Sequence, residues 1–185
     1  MKSAIFIFGL GVLTLVLAFS PVVHANDSSD AIPECLGDNG PIGVINDQVI
    51  QWKTSTRNQF LARGHVKGTV RQVYPDHSGH HHFELSIGNN QSDTIEVIYN
   101  EDFGATPDIA IGMDVEACGD YITSIAQSGP YPPSPDGAII HWVHRAPNPQ
   151  RHASGFIVVN GTLYGQDAGN AGPKQDYGYG HHRHH

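Results

Sequence analysis

Histidine is the residue type in this chain with the most chemistry to offer, and it is clustered. Of 13 histidines, His77, His80, His81 and His82 form one group and His141, His144 and His152 a second. His181, His182, His184 and His185 end the chain, while His24 and His65 stand apart. Neutral imidazole is the commonest metal-ligating side chain, and its charge changes near physiological pH. The pattern therefore asks for metal ligation, acid–base catalysis, pH sensing or plain solvation.

The second group lies in Ile140-His141-Trp142-Val143-His144-Arg145-Ala146-Pro147, followed by Arg151-His152-Ala153-Ser154-Gly155-Phe156. In a strand, His141 and Val143 share a face and His144 lies opposite unless a bulge intervenes. His141 and His152 can converge through the loop holding Pro147 and Pro149. His80 and His82, two apart, share one face of their own strand. Two histidines from one strand and one or two from another is a common way for a β-protein to assemble three or four ligands. Asp76 and Asp136 stand near enough in sequence to add a ligand or an acceptor behind one. Against this, His77 to His82 also reads as a polar hairpin tip, and a histidine beside tryptophan as a hydrogen-bonded core residue. No HExxH or CxxC spacing is present. Serine or cysteine catalysis has little support, because no Gly-x-Ser-x-Gly elbow occurs and Ser154 reads as a turn residue.

The elements that must position these side chains are mostly strands. Val44, Ile45, Val49 and Trp52 have helical spacing, with Asn46 or Asp47 available to the first turn, so one helix is expected between Val44 and Phe60. Arg63–Tyr74, His82–Ile87, Asp93–Tyr99, Gly112–Ile122 and Ala138–His144 read as five strands. Gly104 to Ile111 is a loop or a single helical turn, and 129–136 a Pro-rich loop. A final hairpin joins Gly155–Val159 to Thr162–Tyr164 through Asn160-Gly161. Five strands with glycines at bends suggest a mainly β chain: a five-stranded OB-like barrel with one N-terminal helix and a C-terminal hairpin. A β-sandwich is the alternative.

The expected domain plan is a signal peptide over 1–25, a lead-in and helix over 26–59, the barrel domain over 60–165 and a disordered tail over 166–185. Lys2, the apolar run Ile5 to Phe19, Pro21 and Val23-His24-Ala25 carry the first assignment, the run being shorter than the roughly 20 residues of a membrane span. A retained anchor is its rival. The tail is rich in Gly, Tyr and His and nearly free of aliphatic residues, too little to offset its ordering entropy. Cys35 and Cys118 are expected to form a disulfide, as export favours; a two-cysteine metal site is the rival, but neither cysteine has a neighbour at ligand spacing. The net charge of −8 argues against general nucleic-acid binding, which needs a basic footprint. Protonating the histidines would reverse that sign.

The stretch from Asp136 to Pro147, then Arg151-His152-x-x-Gly155-Phe156, resembles the signature of a family of small secreted bacterial proteins, a domain-of-unknown-function family. Its members typically show Gly-Gly-Val-(Ile/Val)-His-Trp-Thr-His-His-Asp-Pro, then Arg-His-x-x-Gly-Trp. Upstream, Gly64 to Val73, Asp76…Gly79-His80-x-x-Phe83 and Tyr99-Asn100-x-Asp102 correspond to further family stretches, so the resemblance covers about residues 60–165. It carries over His80, Asn100, His141, Trp142, His144, His152 and Gly155, and implies an OB-like fold and export without supplying a mechanism. Tyr99 stands where a histidine is usual, Arg145 replaces the second histidine of a pair, and Ala146 replaces an aspartate.

The sequence thus leads to an exported binding module, periplasmic or secreted, with a divalent-metal site of His80, His141, His144 and His152. Zinc is the expected ion, copper or nickel the alternatives. Asn100, Asp102, Trp142 and Gly155 are binding or structural residues around it. His65, His77 and His81 read as ordinary surface residues, His82 is left undecided, and the terminal histidines are an accessory. A metal-dependent hydrolase of phosphodiesters or esters, with His144 or Asp102 moving protons, and a metal-free pH-responsive interaction domain are the other readings. The partner is an unidentified small ligand, a metal or an envelope protein.

Overall fold

The computed structural model describes residues 31–167. The expected leader over 1–25 and the chain from 168 onward, with its terminal histidines, lie outside the described residues. A short hairpin, β1 (Leu36–Gly37) and β2 (Gly40–Pro41), leads into helix α1 (Asn46–Ser55). Then follow β3 (Leu61–Val73), β4 (His80–Ser86), β5 (Thr94–Asn100), a 3-10 turn (Glu101–Phe103), β6 (Asp114–Thr123), β7 (Ala138–His141), β8 (Phe156–Val159) and β9 (Thr162–Tyr164).

The sheet runs β3-β4-β5-β7-β6-β8-β9, and β3 also pairs with β6. That extra pairing closes β3, β4, β5, β7 and β6 into a five-stranded OB-like barrel, with the β8–β9 hairpin continuing outward from β6. The long β3 serves two neighbours. Its first part pairs with β6 from Leu61↔Ile122 to Thr69↔Asp114, and its second with β4 from Thr69↔Ser86 to Val73↔Phe83. The chain must bend sharply where it changes partner. Gly68 sits there, and a Cβ at that position would lie 2.0 Å from the Ser86 carbonyl oxygen.

Alternation puts Val66, Val70, Phe83, Leu85, Ile95, Val97, Val115, Tyr121 and Ile140 inside the barrel. Helix α1 adds Val49 to that core, and Trp52 packs its ring 5.2 Å from Tyr121 and 5.8 Å from Phe60. The helix lies within the expected Val44–Phe60 stretch. Ser55 and Thr56 hydroxyls donate to the Gln51 and Trp52 carbonyls and end it. Asn46 does not cap the helix. Its amide instead donates to the Lys67 and Ile87 carbonyls and accepts from the Lys67 N–H, tying helix to barrel. Cys35 and Cys118 form the expected disulfide, which joins the lead-in to β6.

Three local expectations differ from the structure. β7 ends at His141 rather than His144, because Trp142 takes a φ of 52° and leaves the strand. β4 begins at His80, two residues early, since His77 and His80 bridge across the turn. His65 is buried rather than on the surface: it donates to the Ile42 carbonyl and faces the Glu116 carboxylate at 2.9 Å.

Candidate functional site

Strand register decides which histidines can meet. His80 pairs with Asn100 and His82 with Ile98 across β4–β5, while Glu96 pairs with Ile139 across the parallel β5–β7 ladder. Paired residues share a face, so His80, His82 and, two past Ile139, His141 all lie on the outer face of the barrel. The His80 ring stands 5.7 Å from that of His141 and 6.4 Å from that of His82.

The left-handed Trp142 then redirects the chain. A bulky residue at positive φ is a costly outlier that the surrounding packing must hold. Its ring lies 4.5 Å from that of His141 and 5.6 Å from that of His152, and His152 lies 5.3 Å from His144. Gly155 allows the chain to fold back this closely. Its N–H donates to the His144 carbonyl, and a Cβ would lie 2.3 Å from both the Trp142 and the Cys118 carbonyl oxygens. Asn100 acts one step removed: its side chain accepts the Asp102 N–H and caps the 3-10 turn. That turn carries Phe103, whose ring stacks on His144 at 3.5 Å and 8°.

Three rings have their tautomer set by the backbone. The Nδ1–H of His80 donates to the Ser78 carbonyl at 3.0 Å, that of His144 to Arg145 at 2.9 Å and that of His152 to Ala153 at 3.1 Å. A carbonyl only accepts, so in the neutral ring Nε2 carries the lone pair. His82 donates Nδ1–H to the Glu96 carboxylate at 2.7 Å and reaches the same state. His141 Nδ1 is buried with no hydrogen-bond partner among the described residues. Burial, and then the neighbouring His80, His144 and His152, hold the His141 pKa well below its ordinary value. Burial pushes His144 down to about 4 against the opposing hydrogen bond to Arg145, and burial lowers His80 as well, against Ser78 and the nearby Asp102 and Glu101. Burial therefore holds His80, His141 and His144 toward the neutral form.

These rings stand in adjacent pairs. Among the described residues, the one trio of His, Cys, Asp or Glu with ligand atoms all within 4.8 Å is Asp76, His81 and Glu101, a group that could hold a metal ion. The sequence alone places His81 among ordinary surface residues and carries no sign of Glu101. The missing signal is register: His81 pairs with Tyr99, which makes Glu101 its diagonal neighbour. Phe103 was missed as well, since nothing in the sequence ties it to His144. Asp136 is engaged elsewhere, accepting from Thr94 and Tyr74 hydroxyls at 2.5 and 2.9 Å. Of the family departures, Tyr99 is fully buried and donates to the Ala105 carbonyl, Arg145 is exposed, and the Ala146 N–H donates to Ser154.

No curated protein and no solved structure matches this chain. Residues 40–165 match the family described as "Protein of unknown function (DUF3465)", and the chain belongs to that family.

Proposed function

We propose that this protein is an exported OB-like module that binds one divalent transition-metal ion through His80, His141, His144 and His152. The carrying observation is that backbone carbonyls hold Nδ1–H on His80, His144 and His152, leaving Nε2 as the ligating atom in two neighbouring ring pairs, His80 with His141 and His144 with His152. Such outer hydrogen bonds are the usual means of orienting metal-binding imidazoles. The lowered pKa values add to this, because neutral rings bind without first losing a proton. All-imidazole ligation suits zinc, with copper or nickel as alternatives. Ligand nitrogens about 2.0–2.1 Å from the ion require the two ring pairs to close together, for which His80 and His152, both half-buried, would shift against their bonds to Ser78 and Ala153. Trp142 lies between the pairs, so zinc added to the purified protein should change its fluorescence in proportion to metal bound. Unchanged emission alongside no retained zinc on metal analysis would defeat the proposal.

Export is supported by the Cys35–Cys118 disulfide, which persists in an oxidising compartment. A metal-dependent hydrolase is a second reading, in which Asp102, near enough for its charge to act on His80, would move protons. Zinc-dependent turnover of a generic phosphodiester, lost with Asp102→Asn, would promote it. The pH-sensor reading loses ground, since His144 stays neutral down to about pH 4 and His141 is held low.

A further inference from the structure

Consecutive residues of a strand face opposite ways, so His80 and His81 serve different sides of β4. His80 faces outward with His141, whereas His81 shares the inward side with Phe83 and stacks on Tyr99 at 6.5 Å. Its Nδ1 lies 2.7 Å from Asp76 Oδ1 and its Nε2 3.1 Å from Glu101 Oε1. The Asp76 carboxylate can only accept, so Nδ1–H donates to it. Nε2 is then buried against Glu101, close enough for an ion pair but out of line for a hydrogen bond. Nε2 is thus a buried nitrogen whose need for a partner either a second ring proton or a cation shared with Glu101 would meet.

The spacing suits such a cation. Two neighbouring ligands at about 2.1 Å from an ion lie about 3.0 Å apart in octahedral and about 3.4 Å apart in tetrahedral geometry. The 3.1 Å between Nε2 and Oε1 falls in that interval. Asp76, bonded to the far ring nitrogen, stands where a carboxylate orients a ligating histidine. Beside this edge opens a cleft of about 570 Å³ whose lining includes Asp76 and His81, with Tyr74, Thr106 and Ile109.

We infer that His81 and Glu101 form a second divalent-cation site, with Asp76 fixing the His81 ring and water or an anionic ligand filling the remaining positions. It is separate from the imidazole pairs and harder in character, combining one nitrogen with one carboxylate. The β3–β4 turn, which carries Asp76, and the 3-10 turn, which carries Glu101, are drawn together by the ion.

Manganese(II) alone is the probe, because it ranks lowest among first-row ions for imidazole and accepts carboxylate oxygen readily. Electron paramagnetic resonance titration of the full chain should show bound manganese that weakens about tenfold or more with Glu101→Gln and with His81→Ala. The His141→Ala/His152→Ala double variant should bind it as the unaltered chain does. Glu101 is partly exposed, so Glu101→Gln should keep its fold, and circular dichroism checks that. In the unaltered protein, manganese should broaden the His81 and Tyr99 ring signals before those of His141 and His144. Equal manganese affinity in a folded Glu101→Gln variant overturns the inference, as does broadening that begins at His141. Zinc failing to bind the imidazole cluster while manganese keeps this pattern would remove the proposed function and leave this site standing.

Discussion

At the scale of the residue, the behaviour of His144 follows from burial. It is 3% exposed, stacked on Phe103, and its pKa of about 4 lies below the 6.5 of an ordinary histidine. A depressed folded-state pKa means that the unfolded chain takes up the proton first as pH falls. Stability of the metal-free protein is therefore complete above pH 6.5 and declines toward pH 4, by on the order of 3 kcal/mol from this group. Urea unfolding at pH 7.5, 6 and 4.5 should show the decline, and His144→Gln should make it shallower; an unaltered pH slope in that variant would contradict the assignment. The identity of the clustered imidazoles was legible from residue type and spacing. Their tautomers were not, because Ser78, Arg145 and Ala153 offer backbone carbonyls whose placement depends on the fold.

At the scale of the element, the site depends on the connection over 142–155 between β7 and β8. Trp142 leaves the strand at positive φ, and Gly155 lets the returning chain pass against the Trp142 and Cys118 carbonyls. Gly155→Ala places a methyl group 2.3 Å from two backbone oxygens that cannot step aside, and should cost about 1–3 kcal/mol in urea unfolding. It should also weaken zinc binding, since it moves His144 and His152 relative to His141; normal stability and affinity would contradict this geometry. Alternation and the Asn160-Gly161 turn were enough to read β8–β9 and the barrel strands from sequence. The end of β7 was not legible, because Val143 continues the apolar pattern and periodicity carries no sign of the left-handed residue before it. Register between β4 and β5 was equally hidden, and with it the pairing of His81 with Glu101.

At the scale of the whole molecule, the barrel, the lead-in and the loop before β8 meet at one corner. The Cys35–Cys118 bond closes a separation of 83 residues there. Arg63 reinforces it by donating to the Leu36 carbonyl at 2.9 Å, the Asp120 carboxylate at 2.8 Å and the Ser154 carbonyl. Replacing both cysteines by alanine should lower stability by about 4–5 kcal/mol in urea unfolding. A loss below about 1 kcal/mol would mean that the lead-in contributes little to holding the barrel. This bond was legible because the chain has only two cysteines. The short β1–β2 hairpin beside it was not, as two-residue strands leave no period to read. The defining property proposed for this scaffold is the metal ion it holds. Its most direct test is zinc calorimetry at pH 7 on the chain with His181, His182, His184 and His185 replaced by alanine, compared with the same chain carrying His141→Ala and His152→Ala. One tightly held zinc at the imidazole pairs, taken up with little proton release because burial keeps His80, His141 and His144 toward the neutral form, and lost in the double variant while weaker uptake at His81 and Glu101 stays, is the expected result; identical titrations of the two proteins would contradict the account.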